Sequence, residues 1–125
     1  MTEDYAFLAR AHTALSDARL LLDHARVEAM INRTYYAAFY AATAALHQHG
    51  ERPKTHSGTL YRFQVRFVDA GRLEQRVATA LGQAFHARQH ADYDAISIYD
   101  EAAARDLLAD VERFVAAVEV MLETP

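Results

Sequence analysis

The stretch that decides the fold is Asn32-Arg33-Thr34-Tyr35-Tyr36-Ala37-Ala38-Phe39-Tyr40-Ala41-Ala42, part of an alanine-rich apolar run. At about 100° per residue, this run predicts a helix with one apolar side and one polar, aromatic side. The apolar side comprises Val27, Ile31, Tyr35, Ala38, Ala42 and Leu46, and the opposite side comprises Arg33, Tyr36, Tyr40 and His47. A surface helix would carry Lys and Glu on the side opposite its apolar residues. We interpret the run as a central helix whose second side meets protein or ligand. Alternatively, its tyrosines pack in a core or a dimer while Arg33 reaches solvent.

The bulk composition predicts one domain over residues 1–125, long enough to bury a hydrophobic core. The sequence contains no cysteine, so it excludes disulfides, thiolate metal sites and a cysteine nucleophile. No apolar run approaches the roughly 20 residues of a membrane span. The first residues, Met1-Thr2-Glu3-Asp4, are acidic where a signal peptide would be basic. We therefore expect a cytoplasmic protein without membrane contact.

Helical periodicity in the rest of the chain predicts an all-α, up-and-down bundle of four or five helices. The predicted helices cover residues 3–24, a central helix ending at Gly50, residues 59–70, residues 73–89 or a little beyond, and a last helix after Asp100. Thr2 and Asp100 are the expected N-caps, and Gly50 and Gly71 are the expected terminators. Residues 91–99 are expected to form a connector. On the third helix, Leu60, Phe63 and Phe67 point inward, and Arg62 and Arg66 point outward.

Charge is distributed unevenly along the chain, although the net charge is only −4. Residues 51–90 hold seven Lys or Arg against three acids, whereas residues 91–125 hold two Arg against nine acids. The basic and acidic segments are either solvated faces that attract one another, or the basic segment serves an anionic ligand. The overall acidity argues against bulk, nonspecific nucleic-acid binding.

Residues 51–58 form a predicted loop that concentrates polar chemistry in Arg52, Lys54, Thr55, His56 and Ser57. Two cations, an imidazole and two hydroxyls beside a helix start favour anion binding, because the free N–H groups of the helix add to them. The alternative is an ordinary polar connector.

Arg88 continues the apolar stripe that includes Leu81 and Phe85 on the fourth helix. An arginine on an apolar side is rarely left unpaired, and Asp92 lies four residues further on. If the helix continues that far, one expectation is a structural ion pair between Arg88 and Asp92. Alternatively, Arg88 holds its guanidinium at the rim of a cleft for a phosphate or carboxylate, with Tyr93 just beyond.

A metal or cofactor site is not expected. His86 and His90 lie four residues apart, as metal ligands do on a helix, but that helix offers no carboxylate at a fitting position. We therefore expect His86 and His90 to be exposed to solvent. The sequence also lacks a Gly-rich phosphate loop, a Glu-x-x-His pair, a His-Glu-x-x-His motif and a nucleophile elbow. The remaining chemistry is acid/base or electrostatic work by Arg, His, Tyr and Asp.

With these segments in place, the chain resembles the HEPN family of small helical bundles that lie beside minimal nucleotidyltransferases in prokaryotes. The matching segments are residues 32–42, Lys54-Thr55-His56-Ser57-Gly58, residues 67–71 and Arg88-Gln89-His90-Ala91-Asp92-Tyr93-Asp94. The resemblance implies an up-and-down bundle, usually a dimer, associated with nucleotides, RNA cleavage or toxin–antitoxin pairs. The two-sided central helix also favours a homodimer, because one chain has difficulty covering both sides.

One departure from the family concerns catalysis. Its ribonuclease members carry an Arg followed after four to six residues by a His, near the end of a late helix. Here one residue separates Arg88 from His90. Arg19 and His24 have the family spacing but lie in the first helix, about 140° apart on the wheel, which we regard as coincidence.

Three hypotheses follow. The first is a nucleotide- or RNA-associated module that works with a minimal nucleotidyltransferase in a toxin–antitoxin-like system. Its candidate ligand-binding residues are Arg33, Tyr36, Lys54, His56, Arg88, Asp92 and Tyr93. The second is a metal-independent endoribonuclease in which Arg88 stabilises phosphate charge and His56 or His90 acts as acid or base. The third is a structural dimeric bundle without a ligand.

Overall fold

The computed structural model describes residues 2–93 and 99–123. Its five α-helices are α1 (Thr2–Asp23), α2 (Val27–Gln48), α3 (His56–Phe63), α4 (Gln75–Tyr93) and α5 (Glu101–Glu123). The segment Gln64–Val68 continues α3 as a single π-helical stretch, called the π turn below. All regular elements within the described ranges are helical, which confirms the predicted all-α bundle.

Helix α2 is central, as predicted, and packs against each of the other four helices. The residues of its apolar side are fully buried from Ile31 through Tyr35 and Ala38 to Leu46. Many of its buried residues are alanines, whose small side chains let the neighbouring helices approach closely. The core forms around this side of α2, with Phe114 and Val118 of α5 among its fully buried members.

The second side of α2 is partly covered by the N-terminal half of α1. The Tyr40 ring lies 6.2 Å from the Phe7 ring, and the Arg10 guanidinium lies 5.9 Å from both. His47 meets Phe7 edge-on at 5.1 Å. The expectation that one chain has difficulty covering both sides is therefore wrong for this part of α2, because α1 supplies the missing aromatic and cationic partners.

Three helix ends carry a residue in the left-handed region: Ala25 (φ 58°), Gly50 (φ 77°) and Gly71 (φ 79°). After each of them, the next amide donates to the carbonyl five residues earlier, as from Arg26 to Leu21 at 2.9 Å. This is the Schellman arrangement, in which glycine is favoured because it has no Cβ. The predicted roles of Gly50 and Gly71 are confirmed.

The third and fourth helices differ from their predicted limits. Helix α3 begins at His56 rather than Thr59, because the hydroxyl of Thr55 accepts the amide of Gly58 at 2.9 Å and caps the helix. Residues that were expected in the loop thus form the first turn of α3. Helix α4 continues through Tyr93, so the connector predicted from residue 91 begins later. Its residues 94–98 lie outside the described part of the chain.

The caps expected at the two terminal helices have different outcomes. Asp100 accepts the amide of Ala103 at 2.8 Å, which confirms it as the N-cap of α5. The predicted cap by the Thr2 side chain lies outside what the structure describes. Within the described ranges, none of the helices is both long and apolar enough to cross a bilayer.

Candidate functional site

Aromatic and cationic side chains meet where the first half of α2, the first turn of α3 and the end of α4 come together. We call this group the Arg88 cluster. It comprises Arg33, Tyr35, Tyr36, Phe39, His56, Arg88 and Asp92. Helix α2 supplies the aromatic rings, the Thr55 cap fixes the start of α3 at His56, and the four-residue spacing on α4 sets Arg88 beside Asp92.

Tyr35 and His56 form the inner part of the cluster. The Tyr35 hydroxyl and His56 Nδ1 are 2.7 Å apart, and Tyr35 is fully buried. The His56 ring stacks on Phe39 with a centroid distance of 4.3 Å. Burial raises the pKa of the Tyr35 phenol above its usual range, against the opposing charge of Arg88. The phenol therefore keeps its proton at neutral pH.

The protonation of His56 follows from this contact. A buried phenol needs an acceptor for its proton, and Nδ1 is the acceptor within reach. Neutral His56 then carries its own proton on Nε2. Burial first and the Arg88 charge second lower the pKa of His56 below its ordinary value. At neutral pH, His56 is an uncharged hydrogen-bond donor rather than a cation.

Arg88 lies over the rings of Tyr35 and Tyr36, with its guanidinium carbon 5.3 Å and 5.5 Å from their centroids. Its side chain is 25% exposed. Arg88 Nε is 3.2 Å from Asp92 Oδ2, an ion-pair distance. The N–H direction nevertheless does not allow a hydrogen bond, so the buried Nε–H has no acceptor among the described residues. The predicted Arg88–Asp92 ion pair is present, but it leaves this donor unsatisfied.

A second arginine approaches the same aromatic surface. The Arg33 guanidinium is 5.0 Å from the Tyr36 centroid and donates to Asn32 Oδ1 from Nε at 3.1 Å and from Nη2 at 2.9 Å. The partly buried ring of Tyr36 therefore has two guanidinium groups beside it, Arg33 and Arg88. Cation–π contacts of this kind are worth roughly 0.5–2 kcal/mol each.

The other predicted ligand-binding residues lie at the margin. Lys54 precedes His56 by two positions and is exposed, and within the described ranges no hydrogen bond or ion pair ties it to the cluster. Tyr93 follows Asp92 and is 83% exposed. The grouping of Arg52 with Lys54 and His56 does not form, because Arg52 pairs with Glu3 of α1.

His90, a candidate acid or base, lies on an exposed turn of α4, as does His86. Neither histidine belongs to the Arg88 cluster. Among residues 2–93 and 99–123, no three His, Asp or Glu side chains converge as metal ligands would.

Sequence reasoning did not identify Tyr35 and Phe39 as site residues. Tyr35 falls on the apolar side of the helical wheel, where it reads as core. The available signal was its hydroxyl, since a buried phenol requires a polar partner. That partner comes from a segment 21 residues away, so the sequence alone did not name it.

A cavity of about 550 Å³ elsewhere in the bundle shares no residue with the Arg88 cluster. It lies between α1 and α5 and includes His12 and Glu119, whose side chains meet at 2.8 Å. That pair is largely solvent-exposed and so contributes little stability. We assign it no function.

Comparison with known proteins places this geometry in a family. The family model described as "HEPN domain" matches residues 5–121. The chain belongs to the HEPN domain family.

Individual relatives agree with that assignment. A UPF0332 protein of Thermotoga maritima is 33% identical over 114 residues, which cover 91% of this chain and 86% of the relative. A UPF0332 protein of Gloeobacter violaceus is 34% identical over 90% of each chain. A Methanocaldococcus jannaschii protein named "Putative toxin MJ0605" is 28% identical over 97% of this chain and 90% of its own length.

Proposed function

We propose that this chain is a nucleotide- or RNA-associated HEPN module that binds a phosphate group of its ligand at the Arg88 cluster. The observation that carries the proposal is the Arg88 guanidinium, whose side chain is 25% exposed and whose Nε–H has no hydrogen-bond acceptor among the described residues. The Asp92 ion pair therefore leaves this charged group incompletely satisfied, and an unpaired donor costs roughly 1–3 kcal/mol. A phosphate at the exposed part of the guanidinium would meet its charge with hydrogen bonds of its own.

The neighbouring side chains suit the rest of a nucleotide. Tyr36 offers a partly exposed ring on which a base can stack, and Arg33 beside it adds a second positive charge. His56 contributes an uncharged Nε2–H donor. Lys54 and Tyr93 flank the cluster on the surface and would contact parts of the ligand beyond the phosphate. Asp92 would hold Arg88 in place while the ligand is absent.

We also propose that the module works with a minimal nucleotidyltransferase in a toxin–antitoxin-like pair. The support is the family resemblance together with the name of the Methanocaldococcus jannaschii relative, "Putative toxin MJ0605". Co-purification from the native host, followed by mass spectrometry, tests the partnership. Recovery of a nucleotidyltransferase supports it, and recovery of the chain alone contradicts it.

A metal-independent endoribonuclease is the second candidate, favoured by the contacts of both His56 and Arg88 with Tyr35 and by the same relative's name. In this version Arg88 stabilises charge on the phosphate, and His56 or His90 transfers a proton. The protonation of His56 argues for binding instead, because its Nε2 already carries a proton and its Nδ1 is engaged by Tyr35. RNA cleavage that is lost in both Arg88→Met and His56→Gln would favour the enzyme.

The binding experiment titrates the wild type with AMP and with a short RNA at low salt. Arg88→Met removes the charge but keeps an apolar side chain of similar length. We expect it to weaken binding at least about tenfold, the effect of losing one charged hydrogen bond. Arg105→Met, at an exposed position on α5, removes the same charge elsewhere and should change affinity less than about twofold. Equal affinities in wild type and Arg88→Met, or no binding by the wild type, would overturn the proposal.

A further inference from the structure

A second group of arginines surrounds a cavity that the Arg88 cluster does not use. This cavity has a volume of about 400 Å³ and lies where the end of α2, the π turn and the segment before α4 meet. We call it the arginine cavity. Its lining residues are His49, Arg62, Val65, Arg66, Ala70 and Arg72. Three of these described residues are arginines, and none of them is acidic.

The carboxylate of Glu51 partly balances this charge. Arg62 Nε donates to Glu51 Oε1 at 2.6 Å, and Arg66 Nε lies 3.4 Å from Glu51 Oε2. The hydrogen bond from Arg62 holds the pKa of Glu51 below its usual range, so the carboxylate is ionised at neutral pH. One negative charge faces two positive charges, and an excess of positive charge remains.

Arg66 is the member with unused donors. Its side chain is 45% exposed, and among the described residues no hydrogen bond engages its guanidinium. Arg72, in contrast, is fixed: it donates to His49 Nε2 at 3.1 Å and to the Met121 carbonyl at 3.2 Å. His49 Nδ1 is 3.1 Å from the Ala45 carbonyl and must donate to it, which leaves Nε2 as the acceptor. His49 therefore positions Arg72.

The π turn gives the cavity its shape. The side-chain amide nitrogen of Gln64 donates to Asp69 at 2.9 Å and to Gln75 at 2.7 Å, and these bonds hold the widened turn against the start of α4. Arg62 stands just before the turn and Arg66 lies within it, and both reach Glu51. Single π-helical turns occur frequently at functional sites.

We propose that the arginine cavity is a second phosphate-binding site, which takes a backbone phosphate of an RNA strand whose other part occupies the Arg88 cluster. The choice of RNA as the ligand rests on the function proposed above. The binding of phosphate in the arginine cavity does not depend on that function. His56 starts α3, and Arg66 follows it by ten residues, roughly 15 Å along the helix. A strand stacked as in a duplex, at about 3.4 Å of axis per phosphate, needs roughly four or five nucleotides to reach both sites. A mononucleotide is too short to occupy the Arg88 cluster and the arginine cavity at the same time.

The test combines three probes: inorganic phosphate, AMP and an eight-nucleotide RNA. Arg66→Gln removes one cavity charge and leaves the Arg62–Glu51 hydrogen bond in place. The control, Arg76→Gln, removes an equal charge at an exposed position outside the cavity. We expect phosphate to shift the backbone amide NMR signals of residues 62–72 in wild type and Arg76→Gln, but not in Arg66→Gln.

The RNA arm measures length and salt dependence. In Arg66→Gln, RNA affinity should fall about three- to tenfold, and the slope of log affinity against log salt should fall by about one, the change for one lost phosphate contact. AMP affinity at the Arg88 cluster, followed by the ring signals of His56 and Tyr36, should be unchanged in that variant. In Arg76→Gln, both affinities should change less than about twofold.

The outcomes separate the two proposals. If Arg88→Met binds RNA normally while Arg66→Gln does not, the proposal that the Arg88 cluster binds phosphate is wrong. The proposal that the arginine cavity binds phosphate is then supported. If phosphate produces no shifts in residues 62–72 of the wild type, or if Arg66→Gln and Arg76→Gln behave alike, the cavity site is overturned. A melting temperature of Arg66→Gln close to that of the wild type shows that the variant is folded. Arg66→Lys, which keeps the charge, should retain the phosphate-induced shifts.

Discussion

Arg88 is the residue at which a structural role and a functional role predict different experimental results. If Arg88 mainly neutralised a buried Asp92, Arg88→Ala would lower the free energy of unfolding by about 3 kcal/mol, and Arg88→Met would be much milder. The Asp92 side chain is 37% exposed, so solvent screens the pair. Both variants lose the cation–π contacts with Tyr35 and Tyr36, but both also remove the unpaired buried Nε–H, whose cost is of similar size. We therefore predict that each variant loses less than about 1 kcal/mol in urea unfolding. A large loss in Arg88→Ala, with Arg88→Met stable and still able to bind ligand, would assign Arg88 to the fold.

His56 provides a pH-dependent prediction. Its pKa is lowered in the folded protein, by burial first and by Arg88 second. The unfolded chain therefore binds a proton more readily, and the contribution of His56 to stability is fully present above about pH 6.5 and decreases as the pH falls below it. NMR titration of the His56 ring should show the lowered pKa. It should rise part of the way towards its ordinary value in Arg88→Met, because burial remains. A His56 pKa that is the same in Arg88→Met as in the wild type would contradict the proximity of Arg88 to His56.

Tyr35 shows that the sequence predicts the burial of a residue more readily than its hydrogen-bond partner. Its position on the helical wheel predicted burial, and burial is confirmed. The wheel does not show what a buried hydroxyl contacts, because His56 comes from a different helix. Arg88 and Asp92 were predictable as a pair because their spacing is local. The orientation that leaves Arg88 Nε–H without an acceptor depends on packing against α2 and was not predictable.

Helix ends carry a prediction at the scale of elements. Ala25 occupies a left-handed conformation at which its Cβ is unfavourable by roughly 1–2 kcal/mol. Ala25→Gly should remove this strain, and the greater freedom of glycine in the unfolded chain offsets about 0.4–1 kcal/mol of the gain. We predict a net stabilisation of up to about 1 kcal/mol, measured by denaturant unfolding.

The matched control for that change is Ala116→Gly, at an exposed position inside α5. There the same substitution should destabilise by roughly 0.5–1 kcal/mol, because the helix conformation is already favourable for alanine. Similar losses in both variants would show that Ala25 is not strained.

The elements also show which local features the sequence predicts. Gly50 and Gly71 act through their own backbone, and the carboxylate of Asp100 reaches an amide only three residues away. Their roles were therefore predictable from the sequence. The π turn was not predictable, because Phe63 just before it and Phe67 within it keep the four-residue spacing of an ordinary helix. Gln64 of this turn bonds to Gln75, eleven residues further along the chain, and helical periodicity does not show such a contact.

Over the whole molecule, the ion pairs distribute charge in a way that favours an anionic ligand. Three acids of α5 form ion pairs among the described residues: Glu112 with Arg19 and Glu119 with His12 of α1, and Asp110 with Arg113 within α5. Arg62 and Arg66 share Glu51 from the same basic segment. Of the two interpretations of the charge distribution, the one in which the basic segment serves an anion has the better structural support.

Assembly is a separate prediction at this scale. We propose a homodimer, supported by the membership of the chain in the HEPN family and by exposed apolar side chains outside the Arg88 cluster, such as Leu20 and Tyr61. Light scattering at micromolar concentration should give twice the chain mass of 14.1 kDa. A mass equal to one chain would contradict the dimer without affecting the binding proposal.

The most direct test of the Arg88 cluster is to follow the His56 ring by NMR while a short RNA is added to the wild type at low salt. We predict that the His56 ring signals and the Tyr36 ring signals shift together and saturate with the same affinity that calorimetry gives. Addition of salt should reverse both shifts, because the contact is electrostatic. RNA binding that leaves both rings unperturbed, or no binding at all, would contradict the central claim that the Arg88 cluster is the phosphate site.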